Sequence, residues 1–348
     1  MAKVGIIGAS GFTGVELLRL CAGHPELEVA LATGDSQAGV QAATVYPSLA
    51  GHYPGLVFEP YDPSTVDGLD LVFLGLPHGA SHAIVPELVD RVGHIVDLAA
   101  DFRLHDASLY PQWYGEAHNA PALLADFVYG LPELFRHRLA GAAKVAAAGC
   151  YPTTANLALA PLVRAGLIES TGMVVDAASG VSGAGRAPKP NTTFAAVDED
   201  FSAYGLLTHR HTPEIEQVLS STEVGGRPAQ VIFTPHLAPM TRGILATCYA
   251  RPSAGTQPTT AEVQAALHEA YDHERFVTVL DEAPHTKNTF GSNSAHVTAV
   301  VDQRTGWVVA MGALDNLVKG ASGQALQCAN LALRLDEGAG LTAVGVYP

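Results

Sequence analysis

The sequence predicts an α/β chain: a Rossmann-type doubly wound parallel sheet, followed by an α+β domain built on a mixed sheet. Three observations carry this. A glycine-rich turn joins the first apolar strand to the first helix, beginning at Gly8. Up to residue 148, apolar strand runs alternate with helical segments, the pattern of strands buried on both faces. Beyond Cys150 several runs partly alternate apolar and polar residues, as in strands with one face covered. A chain of 348 residues suits two domains. We place them at residues 1–149 and 150–315, with 316–348 as a C-terminal helix returning to the first domain.

Residues 3–7 open the first sheet as a short apolar strand. Residues 12–22 follow as a helix, with Phe12, Val15, Leu18 and Cys21 at helical spacing. Strands are expected at 28–33, at the wholly apolar run 69–74, and at 94–98 and 144–148, with a helix over 80–91. In the second domain the expected strands are 173–178, 230–237, 244–250, 276–279, 295–302 and 307–313. Residues 251–260, rich in Pro, Ser, Gly and Thr, read as a surface loop, and 317–334 as the final helix.

Composition narrows the possible partners. Hydrophobic residues make up 48% and charged residues 15% of the chain, as in a well-buried globular protein. With 19 basic and 34 acidic residues the net charge is −15, and no Lys/Arg cluster exists. This argues against nucleic acid and anionic membrane surfaces. No unbroken apolar run reaches the ~18 residues of a membrane span. Cys21, Cys150, Cys248 and Cys328 lie far apart without metal-ligand pairing. Reduced thiols in the cytoplasm fit that spacing, and no signal peptide precedes the first strand. Cys21, Cys248 and Cys328 fall within helix or strand runs and read as core fillers.

The turn Gly8-Ala9-Ser10-Gly11-Phe12-Thr13-Gly14 has the spacing G-x-x-G-x-x-G. Glycines let the backbone pass close to a pyrophosphate, and the following helix supplies N–H donors and a favourable dipole. Gly8, Ser10, Gly11, Phe12, Thr13 and Gly14 are the predicted phosphate contacts. Gly75, Pro77 and His78 end the third strand, where nucleotides bind in such sheets. After the second strand comes Thr33-Gly34-Asp35-Ser36-Gln37. An acid there argues for NAD, whereas the Thr33 and Ser36 hydroxyls suit the 2′-phosphate of NADP, so the local residues leave both open.

Cys150 carries the chemistry. In Ala148-Gly149-Cys150-Tyr151-Pro152-Thr153 an apolar run ends at a glycine, and Pro152 suits a first helical turn. A thiol at a helix N-terminus is biased toward the nucleophilic thiolate. His209-Arg210-His211 precedes a second helix start at Thr212-Pro213-Glu214. A histidine there can move protons near neutral pH. Two histidines two apart in extended chain point opposite ways, so one can face the thiol while the other binds substrate or packs. Their spacing also permits a metal, but no acidic or thiol partner is grouped with them and none is expected. Arg103 and Arg186 are the candidate anion clamps, because guanidinium forks fit carboxylate and phosphate oxygens.

Taken in order, Gly8–Gly14, Leu76-Pro77-His78-Gly79, Ala100-Asp101-Phe102-Arg103-Leu104, Tyr129-Gly130-Leu131-Pro132-Glu133, Gly149-Cys150-Tyr151-Pro152-Thr153, Ser182-Gly183-Ala184-Gly185-Arg186, His209–Glu214, His236–Gly243 and Asp315-Asn316-Leu317-Val318-Lys319-Gly320 form a specific set. The chain resembles the N-acetyl-γ-glutamyl-phosphate reductases, relatives of aspartate-semialdehyde dehydrogenase, nearly end to end. The resemblance implies reduction of an acyl phosphate by NADPH through a cysteine thioester, in arginine biosynthesis. It implies Cys150 as nucleophile and His209 as acid/base ahead of His211. It also implies Tyr204 as a hydrogen-bond donor, Arg103, Arg186 and Ser182 at the substrate, and Ser182, Gly183 and Asn316 near the nicotinamide. NADP is the implied cofactor, and a homodimer or homotetramer the expected assembly. Two positions depart from the family pattern: Ala148 replaces a usual proline, and Asp35 stands where a basic residue is common. The rival readings are the same chemistry on aspartyl or carrier-linked aminoadipyl phosphate, and a non-catalytic NADP-binding sensor.

Overall fold

The computed structural model describes residues 1–348, and the chain divides into two compact units. The first comprises Met1–Ala148 and Ala321–Leu341, and the second Gly149–Gly320 and Thr342–Pro348. The segment expected to run as one piece from residue 316 is therefore divided. Residues 316–320 and 342–348 belong to the second unit, and only the stretch between them belongs to the first.

The first unit holds a six-stranded sheet: β1 (Ala2–Ile7), β2 (Leu27–Ala32), β3 (Leu71–Leu74), β4 (His94–Asp97), β5 (Val128–Gly130) and β6 (Lys144–Ala147). Every pairing is parallel, in the order β2-β1-β3-β4-β6-β5. Alternate residues serve opposite faces, as the two-residue repeat of a strand requires. Val4, Ile6, Phe73, Val96 and Val145 meet Leu17 and Leu18 of the helix Phe12–Ala22, and Ala325, Leu326 and Ala329 of the helix Gly323–Ala332. Ile7, Val72, Leu74, Ile95 and Ala146 meet Val85 and Leu88 of the helix Ser81–Leu88. Both faces are thus covered, which explains the wholly apolar runs.

The second unit holds seven strands: β7 (Met173–Gly180), β8 (Ser202–Ala203), β9 (Val231–Ala238), β10 (Ile244–Ala250), β11 (Val277–Val279), β12 (Ala295–Val301) and β13 (Val308–Leu314). Their order is β11-β12-β13-β10-β7-β9-β8. The β11–β12 and β7–β9 pairs are parallel and the rest antiparallel, so the sheet is mixed, as expected. One face packs on the helices Cys150–Arg164, Thr212–Thr222 and Thr260–Tyr271. The other is partly open. Val309, Tyr249, Val174 and Ile232 form one row across it, with Ile232 53% exposed. No helix of the chain is long and apolar enough to cross a membrane.

Candidate active site

In the second unit, Cys150 is the first residue of the helix Cys150–Arg164, with Gly149 as its N-cap in extended conformation. The Gly149 carbonyl accepts from the Thr153 amide at 2.8 Å, starting the helical ladder, and Pro152 has no N–H that needs an acceptor. Cys150 is half-buried, while Cys21, Cys248 and Cys328 are buried core residues, and no cysteine is in a disulfide. Space for Cys150 comes from Gly320: a Cβ there would stand 2.8 Å from the Cys150 Cβ. Gly320 lies in the single π-turn Val318–Ser322, and Asp315 holds its approach by accepting from the Leu317 and Val318 amides.

Tyr151 organises the next layer. Its ring lies edge-on to His209 at 5.8 Å and to His211 at 5.9 Å, so both histidines gather at the residue next to Cys150. Its hydroxyl donates to the His236 carbonyl at 3.1 Å and accepts from Tyr204 at 3.1 Å. Although 37% of Tyr204 is exposed, its hydroxyl is enclosed. Desolvation pushes its pKa up to about 12, a thiolate on Cys150 adding to the rise. Burial pushes the Tyr151 hydroxyl up further, so both phenols keep their protons.

His209 sits 4.8 Å, ring to ring, from His211 and 5.6 Å from Tyr204. Its Nδ1 accepts from the His211 backbone amide at 3.2 Å, so in the neutral ring the hydrogen is on Nε2. Burial, assisted by the Arg210 charge, lowers its pKa to about 4. His211 is itself buried, at 8% exposure, and caps the helix Thr212–Thr222. The second unit thus brings together Cys150, Tyr204, His209 and His211 through Tyr151.

Other expected residues of this unit lie in a neighbouring cluster. Asn316 is buried, donates from Nδ2 to Ser182 Oγ at 3.0 Å and accepts the Gly243 amide at 2.7 Å. Ser182 and Gly183 belong to the short turn Val181–Ala184. A Cβ on Gly183 would meet Ser179 Oγ at 3.0 Å and Asn316 Nδ2 at 3.6 Å, so the turn and the amide are packed together. Arg186 is exposed. Arg242 lies 3.6 Å from the buried Asp315 carboxylate.

The first unit carries the nucleotide loop. Gly8 has φ +84°, and a Cβ on it would strike the Gly75 carbonyl at 2.5 Å, so two of the expected contacts are packed on each other. Gly14 brings the helix onto the loop: its Cβ would lie 2.4 Å from Ala9 Cα. Gly11 is different, since its φ is −80° and an added Cβ would meet nothing closer than 3.5 Å. The fold does not require glycine there, and the open space faces an N-terminus with no side-chain cap. That arrangement fits an approaching pyrophosphate, with the first-turn amides of Phe12–Ala22 as donors. Ser10 and Thr13 are tied in through their carbonyls, which accept from Tyr46 and Ser322, each at 2.8 Å.

Two placements correct the expectations. Thr33 is buried, and its hydroxyl accepts from the Gly8 amide at 3.2 Å, so it shapes the loop from inside. Of the hydroxyls expected at a 2′-phosphate, only Ser36 is exposed, next to an exposed Asp35 in the turn Asp35–Gln37. Arg103 is 7% exposed, with Nε on the Ala147 carbonyl at 2.8 Å and Nη2 on the Leu98 carbonyl at 2.7 Å. Its fork braces the carboxyl ends of β4 and β6, because those carbonyls leave the ladder unsatisfied.

Sequence reasoning missed three carboxylates. Asp101 accepts from the Gly79, Ser81 and His82 amides at 2.9, 2.9 and 3.2 Å and pairs with His78 Nδ1 at 2.5 Å. Burial would raise its pKa, but the His78 and Gly79 bonds outweigh that and hold it below the usual carboxylate range. It thereby fixes the loop containing Pro77 and His78. Asp97, wholly buried, accepts from Ser81 Oγ and the Ala99 amide. Burial, with the Asp101 charge added, raises it to about 7. Glu214, wholly buried, accepts from the Gly149 amide at 2.7 Å. Asp101 and Glu214 stand in the matched blocks, the only signal the sequence offered.

Comparison with known proteins places both units in one family. Residues 3–142 match the semialdehyde dehydrogenase NAD binding domain, and 150–316 the semialdehyde dehydrogenase dimerisation domain. An N-acetyl-gamma-glutamyl-phosphate reductase of Symbiobacterium thermophilum is 49% identical over 99% of both chains. One of Pseudomonas entomophila is 45% identical over the whole of both. Among solved structures, aspartate semialdehyde dehydrogenase II of Vibrio cholerae, complexed with ASA, superposes with a TM-score of 0.70 at 16% identity. It covers 96% of this chain and 98% of its own. The Candida albicans aspartate semialdehyde dehydrogenase with NADP superposes equally well, at 16% identity over 95% of this chain and 98% of that one.

Proposed function

The chain belongs to the N-acetyl-γ-glutamyl-phosphate reductases within the semialdehyde dehydrogenase family, and from that membership we propose its reaction in full. It is an oxidoreductase that uses a nicotinamide cofactor. It reduces N-acetyl-γ-glutamyl phosphate to N-acetylglutamate 5-semialdehyde and inorganic phosphate, in arginine biosynthesis, with NADPH as the preferred form. A cytoplasmic homodimer or homotetramer, meeting through the open row around Tyr249 and Ile232, is the accompanying assembly.

Cys150 is the nucleophile. Its sulfur attacks the acyl carbon, the bond to the phosphate oxygen breaks, and a thioester forms. Gly8, Ser10, Gly11, Phe12, Thr13, Gly14, Gly75, Pro77, His78 and Ser36 of the first unit would hold the nucleotide, Ser182, Gly183 and Asn316 of the second would hold the nicotinamide, and the cofactor would supply the hydride that reduces the thioester. The resulting oxyanion takes a proton from His209, and the hemithioacetal returns it as the carbon–sulfur bond breaks and the aldehyde leaves. The resting ring carries its hydrogen on Nε2. Uptake of a second proton therefore requires the His211 amide to release Nδ1. Tyr204 donates beside the same atoms, and Arg186, the exposed guanidinium, holds a substrate anion with Ser182.

The observation that carries this reading is Cys150 at a helix start, kept open by Gly320, with two histidines and Tyr204 collected on the adjacent Tyr151. The test runs the reaction backwards. Purified protein, N-acetylglutamate semialdehyde, phosphate and NADP should produce reduced nicotinamide, and omitting phosphate should stop it. Faster turnover of aspartate semialdehyde would move the chain to the related acyl phosphate. No turnover of either would leave the sensor reading.

A further inference from the structure

Glu214 is a wholly buried carboxylate that the chemistry above does not use. It stands in the first turn of the helix Thr212–Thr222, which His211 caps. The Thr212 amide donates to the His209 carbonyl, and the Ile215 amide to the His211 carbonyl, each at 3.0 Å, so the histidines and this first turn move as one piece. From that piece Glu214 Oε1 accepts the Gly149 amide, 65 residues away in sequence, at 2.7 Å. Gly149 is the N-cap immediately before Cys150. One charge-assisted hydrogen bond thus ties the peptide carrying the thiol to the turn carrying the imidazoles.

We propose that Glu214 is a positioning residue: by holding the Gly149 amide it sets Cys150 at its working distance from the histidines. The proposal rests on Cys150 as the nucleophile. A buried N–H without its acceptor costs free energy, so the peptide would turn to find another partner, and the thiol on the next residue would turn with it. Displacement of a reacting atom by about 1 Å can cost a hundredfold in rate. Acceptor reach, rather than charge, is therefore the property that matters at position 214.

Two near-isosteric variants separate reach from charge. Glu214→Gln keeps an acceptor oxygen at full length and removes the charge. Glu214→Asp keeps the charge and withdraws it by ~1.5 Å, one carbon–carbon bond. Turnover per folded molecule is measured, with circular dichroism confirming the fold, beside the Michaelis constant for NADPH and the alkylation rate of Cys150 by iodoacetamide. The Gln variant should stay within about threefold of wild type, while the Asp variant should fall by about tenfold or more in turnover. Alkylation should change in the Asp variant, and the NADPH constant in neither. Two outcomes overturn the proposal: an Asp variant that outperforms the Gln variant, which would make Glu214 an electrostatic or proton-transfer group, and wild-type turnover in both. Melting temperatures that fall while turnover per folded molecule holds count with the second, leaving only a structural brace. Alkylation needs no acyl phosphate, so an error in the substrate assignment would appear as an inactive wild type with this comparison still readable.

Discussion

Cys150→Ala should lose at least about three powers of ten in turnover, the scale of removing a covalent nucleophile. A Cys150→Ser variant within tenfold of wild type, in the reverse assay, would end that role. His209→Asn should cut turnover by roughly two to four powers of ten, with NADPH binding nearly unchanged. His211→Asn should act mainly through the Michaelis constant, and the opposite pattern would move proton transfer to His211. Which of these residues the sequence could reveal follows from how each one works. Cys150 announces itself because a helix start needs local punctuation, and Gly149 and Pro152 supply it. Glu214 and Asp101 do not, because each bonds main-chain amides 65 and about 20 residues away, and nothing beside them records that partner. Thr33 and Arg103 misled for a related reason: hydroxyls and guanidiniums serve backbone groups as readily as ligands.

At the scale of elements, most strands were readable from their apolar residues, and two short ones were not. β5, with Val128-Tyr129-Gly130, and β8, with Ser202-Ala203, are too short to show a period and exist because β6 and β9 offer an edge. The π-turn Val318–Ser322 was read as plain helix, since its extra residue is imposed by Gly320 passing Cys150. Gly320→Ala should therefore displace the nucleophile's helix or cost about 1–3 kcal/mol of overpacking. Thermal melting and the rate of acyl-enzyme formation measure the two, and a variant equal to wild type in both would remove Gly320 from the site. The end of β4 predicts a pH effect. Asp97 holds its proton to about pH 7 in the folded chain, against 3.8 for an exposed carboxyl of its kind. Between those values the native state binds more protons than the unfolded one, so this group's contribution to stability declines as pH rises and is level above about 7. Asp97→Asn should remove that slope, as read by denaturant unfolding across the range; an unchanged slope would place its origin elsewhere.

For the whole molecule, the two-part architecture was legible because apolar runs and alternating runs mark different kinds of sheet. Cofactor preference is decided across the nucleotide unit as a whole and hangs on few atoms. Ser36 is the one exposed hydroxyl near Asp35, and no basic residue stands beside them. Wild type should still have higher catalytic efficiency on NADPH than on NADH, and Asp35→Arg should tighten NADP further. Preference for NADH in the wild type would reverse the assignment. The divided C-terminus governs how the protein is made. Helix Gly323–Ala332 fills the core beside Leu17, Val96 and Val145, yet it leaves the ribosome after Gly149–Gly320 of the second unit. Until then one apolar side of the nucleotide sheet has no cover. A premature stop before residue 323 thus leaves more than a missing tail: it leaves the oldest part of the chain unfinished, with a greasy surface that invites aggregation.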